Sequence, residues 1–281
     1  MWESLSEMFA LSFLVRALVV GALVSLCASM LGVGLVLKRY SMIGDGLSHV
    51  GFGALAVAAA LNVAPLTVAM PVTVAAAFLL LRLNANSRIK GDAAIALIST
   101  SSLAVGVVVI SLTTGMNTDV CNYLFGSILA MSKTDVYLSV ALSATVLILF
   151  ALFYHQIFAI TFDETFARAT GVRVGGFNLL LALLTALTIV LGMRLMGAML
   201  ISALIIFPAL TVMRVGKKFL TVTLGAAAVS LICFFSGVTI SYFYNTPTGA
   251  GVVLMNIFCF GIFSVIQWAL TRRRNYVEMA K

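Results

Sequence analysis

Long uninterrupted apolar segments run through this chain of 281 residues and restrict how it can fold. A helix needs about 20 apolar residues to cross a bilayer. Charged residues make up only 9% of the chain, against about 25% in a typical soluble domain. The pattern predicts an all-α polytopic membrane protein with about eight or nine transmembrane helices. The candidate segments are 11–37, 46–62, 65–83, 92–114, 135–155, 176–193, 195–213, 218–241 and 249–270.

The predicted domain organisation is simple, because no hydrophilic stretch is long enough for a separate soluble domain. Residues 1–281 are therefore predicted to form a single transmembrane domain. The sixth and seventh segments are predicted to separate at residues 192–194, and 116–134 is predicted as a mixed, partly re-entrant segment. The cysteines form no C-x-x-C pair and indicate buried free thiols; they are Cys27, Cys121, Cys233 and Cys259.

Basic residues are concentrated in five of the predicted loops. Fourteen of the 17 Lys and Arg residues fall at 38–45, 82–91, 156–175, 214–218 and after 270. Because positive loops stay on the cytoplasmic side of a membrane, these loops and the C-terminus are predicted to be cytoplasmic and the N-terminus outside. The net charge of +8 is thus a topology signal, which predicts a lipid environment and no nucleic-acid partner.

Two ionisable residues, Asp45 and His49, lie at the start of the second apolar segment. A spacing of four puts their side chains on one face of a helix. A carboxylate and an imidazole in that position can share one metal ion, and ionisable residues at membrane depth commonly mark a transport path. The alternative is a buried ion pair or hydrogen bond that only fixes helix packing.

The cytoplasmic loop 156–175 contains the signature of a short helix. Thr161 followed by Glu164 fits a capping box, and Gly171 can adopt the left-handed conformation that ends a helix. A helix is therefore predicted over about 162–170, outside the bilayer. So short a helix is marginal alone, so it is expected either to rest on the membrane surface or to insert into a partner protein.

Four stretches, at 39–49, 123–130, 196–209 and 244–250, identify a family resemblance. In these residues and their order the chain resembles the permease subunit of bacterial ABC importers for zinc and manganese. More distantly, it resembles the permeases that import vitamin B12 and ferric siderophores. The resemblance implies ATP-driven import of a divalent transition metal, zinc or manganese with iron as a further candidate, across the bacterial plasma (inner) membrane.

The resemblance also implies roles for particular residues and partners. Asp45 and His49 correspond to metal-path ligands of the second span, while Glu164, Ala167 and Gly171 match the helix that docks in a cleft of the ATPase. The implied partners are a cytoplasmic ABC ATPase dimer, an extracytoplasmic metal-binding protein and a second permease copy or paralogue. No permanently bound cofactor is expected, because the metal is the transported substrate.

ATP hydrolysis is predicted to lie in a separate subunit, because the sequence lacks the G-x-x-x-x-G-K-[ST] phosphate-binding loop. The chain itself is therefore predicted not to be an enzyme. One alternative is an ion-gradient-driven secondary transporter, although only Asp45 among the acidic residues is predicted at depth. A more distant alternative is an intramembrane enzyme, which is disfavoured because Ser48 and His49 are adjacent on a helix and point about 100° apart.

Overall fold

The computed structural model describes residues 12–86, 91–113, 133–244 and 246–279, and every regular element among them is an α-helix. Eight of these helices are long and apolar enough to cross a membrane. The predicted all-α polytopic architecture is therefore confirmed. The helices are α1 Ser12–Leu37, α2 Met42–Ala60, α3 Pro65–Asn86, α4 Gly91–Leu112, α5 Lys133–Leu152, α6 Tyr154–Phe162, α7 Glu164–Ala169, α8 Val174–Met196, α9 Ala198–Met213, α10 Phe219–Tyr244 and α11 Thr248–Met279.

Several helix boundaries differ from the prediction. The second helix begins at Met42 rather than at 46. The predicted break at 192–194 is wrong, because α8 continues to Met196 and the chain turns at Gly197, which has a φ of 83°. A glycine adopts this φ without the steric cost that a Cβ would add, so it ends the helix where Arg194 does not. The segment 116–132, predicted as mixed, lies outside the described residues.

The helix after this turn, α9, is short for a membrane span. Its 16 residues correspond to about 24 Å at 1.5 Å per residue, less than the hydrocarbon thickness of about 30 Å. The seventh predicted segment is therefore present as an apolar helix, although it does not reach the length of the other eight.

The centre of the bundle is α1, which packs against α5, α8, α9 and α10. Its closest approach is at Gly32, where an added Cβ would lie 1.9 Å from the backbone oxygen of Ile205 on α9. Small residues at such positions let membrane helices approach closely. α2 forms the second part of the core and packs against α3, α4, α8 and α9.

The outer helices present apolar side chains on their exposed faces. In the most apolar 18-residue windows of α3, α4, α5 and α11, only 22–28% of residues are buried, against 56–72% in α1, α2 and α8. Exposed examples are Val108 on α4, Ile148 on α5 and Leu254 on α11. Lipid can cover such faces without loss of hydrogen bonds, which fits a helix bundle embedded in a bilayer.

Contacts between helix ends bring the first three basic loops together. Lys38, after α1, bonds to Glu164 of α7 and Asn178 of α8. Arg82, near the end of α3, lines the same surface cavity as Glu164 and Asn178. The loops at 38–45, 82–91 and 156–175 therefore share one end of the bundle, which we call the basic end.

The remaining two basic segments reach the same end. Phe219 begins α10 and stacks against Phe158 of α6. Arg214, after α9, donates a hydrogen bond to Gln267 of α11, five residues before Arg272. α8 begins at the basic end and runs away from it, and α9 runs back to it. The five loops are thus grouped as the sequence predicts.

Candidate functional site

Asp45 and His49 lie one turn apart near the start of α2 and share one helix face. Asp45 Oδ2 is 3.7 Å from His49 Nε2, beyond the hydrogen-bond range of about 2.7–3.2 Å. Two oxygen or nitrogen ligands of a tetrahedral zinc ion, each at about 2.0–2.2 Å, stand about 3.4 Å apart. A small rotation of either side chain would therefore allow both to bind one ion.

The immediate surroundings of the pair are only partly polar. The hydroxyl of Ser48 donates to the backbone oxygen of Asp45, and the hydroxyl of Ser202 on α9 donates to Ser48 Oγ at 3.4 Å. His49 Nδ1 is buried and has no hydrogen-bond partner among the described residues. The ring is thus held by packing rather than by a hydrogen bond at its second nitrogen, the usual means of fixing a metal-binding histidine.

A groove of about 690 Å³ opens beside Asp45, between α2, the end of α8, α9 and α11. Among the described lining residues only Asp45 and Ser202 are polar; the apolar ones include Met42, Met196, Phe207 and Leu254. The Asp45 side chain is 43% exposed and that of His49 is 23% exposed. Asp45 is therefore the more accessible of the two side chains to an ion in this groove.

The pair lies inside the bundle rather than at its basic surface. Gly44, next to Asp45, faces Ile205 of α9. Ile205 precedes Arg214 at the basic end by nine residues, or about 14 Å along the helix. From the sequence alone, Asp45 would lie nearer the basic surface, because it is next to the start of the predicted second segment.

The glycines around the pair are closely packed. An added Cβ at Gly46 would lie 2.7 Å from the side chain of Ile95, and one at Gly53 would lie 2.6 Å from the backbone oxygen of Ser102. Both contacts are with α4. In this conformation α2 is a continuous helix, and these glycines allow its tight packing.

Far from this groove, the loop 156–175 folds as two short helices, α6 and α7. The predicted capping box is wrong: the Thr161 hydroxyl donates to Ile157 O inside α6. Asp163 caps α7 instead, accepting from the amides of Thr165 and Phe166. The amide of Phe166, then the hydroxyl and amide of Thr165, stabilise the carboxylate and lower the pKa of Asp163 against the small opposing effect of burial.

The end of α7 follows the prediction. Gly171 has a φ of 87°, its amide donates to Arg168 O, and the amide of Val172 donates to Ala167 O. These are the two bonds of a Schellman motif, which satisfies the last carbonyls of a helix. An added Cβ at Gly171 would meet no atom within 4 Å, so the surface beside it is open.

The other two residues assigned to this helix contact the rest of the bundle. Ala167 is fully buried against Ile160 and Val174. Glu164 Oε1 accepts hydrogen bonds from Lys38 Nζ at 2.6 Å and from Asn178 Nδ2 at 3.1 Å. Glu164 and Ala167 therefore attach α7 to the bundle, while the outward face carries the exposed Phe166 and Arg168.

The charge of Glu164 is stabilised by its neighbours. Burial alone would raise the pKa of this carboxyl. The hydrogen bonds from Lys38 and Asn178, with the positive charges of Lys38 and Arg168, outweigh that effect and lower the pKa. Glu164 is therefore ionised at neutral pH, and its ion pair with Lys38 is complete.

Two polar residues of this region were missed in the sequence. Lys38 was counted only as one of the basic loop residues, and Asn178 lies within an apolar segment where no role was predicted for it. The available signal was their position, since both are polar residues within one turn of a predicted span end.

The described residues contain no group of three or more His, Cys, Asp or Glu side chains placed to hold a metal. Cys27 and Cys233 are buried, and Cys259 half-buried, as free thiols. Within the described chain, the Asp45–His49 pair can thus offer an ion two ligands. Two ligands favour brief binding, because the other coordination positions must be filled by water or by another chain.

Comparison with known proteins places the whole chain in a transport context. The profile of the ABC 3 transport family matches residues 10–267. The chain is 30% identical over 269 residues to the manganese transport system membrane protein MntC of Halalkalibacterium halodurans, covering 95% of this chain and 92% of that protein. It is 32% identical over 245 residues to the high-affinity zinc uptake system membrane protein ZnuB of Haemophilus influenzae, covering 87% and 94% respectively.

Two solved structures share the fold. PsaBC from Streptococcus pneumoniae, in complex with a Fab, is matched with a TM-score of 0.83 and 30% identity, over 93% of this chain and 94% of that chain. A proposed metal-chelate type ABC transporter in an inward-facing conformation is matched with a TM-score of 0.72 over 92% of this chain and 88% of that chain. The latter is 15% identical, so it supports the fold alone.

Proposed function

The chain belongs to the ABC 3 transport family, and from this premise we propose that it is the permease of an ATP-driven importer for a divalent transition metal ion. The ion would pass from an extracytoplasmic binding protein through the bundle to the cytoplasm. The observation that carries this proposal is the Asp45–His49 pair, in which a carboxylate and an imidazole stand 3.7 Å apart and the carboxylate lines a groove of about 690 Å³.

The transported ion is zinc or manganese, with iron as a further candidate. Nitrogen and oxygen ligands suit all three metals, so the pair itself does not discriminate among them. The relatives include both a manganese and a zinc system at nearly equal identity. We therefore assign the class of substrate, a divalent transition metal, and attribute the choice within it to the binding protein. The metal is cargo, and we propose no permanently bound cofactor.

A second permease copy or paralogue completes the proposed path. The groove beside Asp45 is open along α9 and α11, and Leu254 in its wall is 66% exposed. A second copy facing this groove would cover apolar surface and bring its own Asp45 and His49 toward the ion. Four ligands would then be available, the number that zinc commonly takes in proteins.

The basic end is proposed to face the cytoplasm and an ABC ATPase dimer. Positively charged loops favour this orientation, and it puts the C-terminus inside and the chain in the bacterial plasma membrane as a multi-pass protein. α7 supports the docking role because it lies outside the apolar helices and exposes Phe166. Glu164, Ala167 and Gly171 would hold α7 in the position that the ATPase recognises.

A secondary transporter is the alternative function, with an intramembrane enzyme a distant third. Carriers of the former type commonly place several acidic residues in the membrane, whereas Asp45 is the acidic residue that lines the groove here. Metal uptake by this chain without ATP, driven by a proton or sodium gradient, would favour the alternative. Uptake that needs both ATP and an ATPase subunit supports the importer.

The proposal is tested in vesicles that contain the permease with its ATPase and receive metal-loaded binding protein. We expect ATP-dependent accumulation of ⁶⁵Zn or ⁵⁴Mn that is strongly reduced in Asp45→Ala plus His49→Ala. A matched control is Asp92→Ala plus His155→Ala, which removes the same two side-chain types from exposed positions outside the groove. Full transport by the groove variant, or equal loss in the control, would refute the assignment.

A further inference from the structure

A buried ammonium group joins three separate segments at the basic end. The Lys38 side chain is only 5% exposed. Its Nζ donates to Glu164 Oε1 and Asn178 Oδ1, both at 2.6 Å, and to Ile160 O at 3.1 Å. A lysine ammonium has three donors, so each is used on a different helix: α6, α7 and α8.

The backbone places Lys38 for this role. Lys38 follows α1 directly, and Arg39 takes a φ of 61°. The amides of Arg39 and Tyr40 donate to Val36 O and Leu35 O, which is a Schellman ending built without glycine. The chain turn thus holds Lys38 at the tip of α1, pointing at the α6–α7 hairpin.

The acceptors are also groups that need a partner. Ile160 lies in the last turn of α6, where backbone carbonyls have no partner within the helix, and a cation there is favoured by the helix dipole. Glu164 is bonded to Asn178 as well as to Lys38. The four groups form a closed polar network in which every Lys38 donor is satisfied.

α1 continues this connection toward the metal ligands. Gly32 lies six residues before Lys38 and contacts the backbone of Ile205, whose side chain in turn contacts Gly44 beside Asp45. The segment that follows Lys38 also reaches Asp45 directly along the chain, seven residues later. Two short connections therefore join Lys38 to Asp45, one through helix contacts and one along the chain. A displacement of α7 can be transmitted to Asp45 by either of them.

We propose that Lys38 is a positioning residue for transport: its three hydrogen bonds fix α7 to α1 and α8, so that movement of α7 moves the helices that carry the groove. This inference rests on the proposed importer function. Lys38 touches neither metal nor ATP and would act through Glu164, Asn178 and α1. Loss of the network would leave the ATPase able to hydrolyse ATP and make metal import inefficient.

The experiment must distinguish the positioning role of Lys38 from its effect in neutralising the Glu164 carboxylate. Lys38→Met leaves the Glu164 carboxylate without its cation, and breaking one side of a pair in which the lysine is buried commonly destabilises a protein. The double variant Lys38→Met plus Glu164→Gln removes both charges, so folding should recover while the connection stays absent. Because Glu164 is itself assigned to the ATPase contact, Glu164→Gln alone, in which Lys38 can still donate to the amide oxygen, is the reference for the double variant. Lys38→Arg keeps a charged donor group and is the conservative variant.

The experiment measures thermal stability, ATPase co-purification, and metal imported per ATP hydrolysed in vesicles for the wild type and the four variants. We expect the double variant to match Glu164→Gln in stability and assembly but to import metal per ATP at least about five-fold less efficiently than Glu164→Gln, the lower range of coupling between distant sites. Lys38→Arg should recover part of that ratio.

An import ratio in the stable double variant equal to that of Glu164→Gln would overturn the proposal, because Lys38 would then serve only charge balance. A double variant that stays unfolded while Lys38→Arg behaves as wild type in every measurement would assign Lys38 to folding and likewise overturn it. If the wild type itself shows no ATP-dependent import, the proposed function fails, and the role of Lys38 fails with it.

Discussion

The contact between α1 and α9 at Gly32 allows a quantitative prediction for Gly32→Ala. The new Cβ would lie 1.9 Å from Ile205 O, whereas an ordinary carbon–oxygen contact is about 3.3 Å, so the helices must separate by about 1.4 Å. Overpacking of this kind costs about 1–3 kcal/mol. The better helix propensity of alanine returns at most about 1 kcal/mol. After that gain we expect a net destabilisation of up to about 2 kcal/mol, or up to about 8 °C in Tm.

The matched control is Gly34→Ala, two residues along the same helix. Its Cβ would lie 3.6 Å from Thr161 Oγ1 and 4.0 Å from Leu181 Cδ2, which are ordinary contacts, so its Tm should equal or exceed that of the wild type. The assay is thermal unfolding of the purified chain in detergent, followed by metal uptake. Equal Tm values for the two variants would refute the reasoning that Gly32 is needed for close approach.

Two further predictions concern α7. Gly171→Trp adds bulk to the open surface beside α7 and should abolish stimulation of the ATPase. Gly171→Ala adds only left-handed strain of about 1–2 kcal/mol and should retain that stimulation. Equal ATPase rates in the two variants would contradict docking at this surface. Asp163→Ala should increase hydrogen exchange at the amides of Thr165 and Phe166, while Asp163→Asn, which keeps a capping oxygen, should not. The pKa of Asp163 is lowered from 3.8, so its carboxylate cap is complete above that value and is lost only as the pH falls through the folded pKa. Asp163→Asn should therefore leave the pH profile of the ATPase unchanged over about pH 6–8.

Most of the membrane architecture was predictable because apolar length is a local property. The runs of about 20 apolar residues predicted the eight long helices, and the spacing of four predicted that Asp45 and His49 share a face. The grouping of the basic loops followed from charge alone. Each of these inferences needs only residues close together in the sequence.

The errors arose where a distant contact decides between local alternatives. Thr161 with Glu164 and Asp163 with the amides of Thr165 and Phe166 are both plausible caps. Glu164 is bound to Lys38, 126 residues earlier in the chain, and Asp163 provides the cap. Likewise, the position of the turn between α8 and α9 depends on the conformation that Gly197 can adopt, and no periodicity in the apolar pattern marks it.

The proposed metal site and the proposed ATPase contact are closer in the chain than their functions suggest. Lys38 joins α7, and Asp45 and His49 follow within 11 residues in the same segment. Asp45 Oδ2 and His49 Nε2 are 3.7 Å apart on one continuous helix, so a shift of α2 moves both together and changes their distance to any ligand that a second chain supplies. A site with two ligands per chain is therefore sensitive to the small helix movements that a docked ATPase can produce. A complete cage within one chain would hold the ion through such movements, so incomplete coordination is what a conduit driven from the basic end requires.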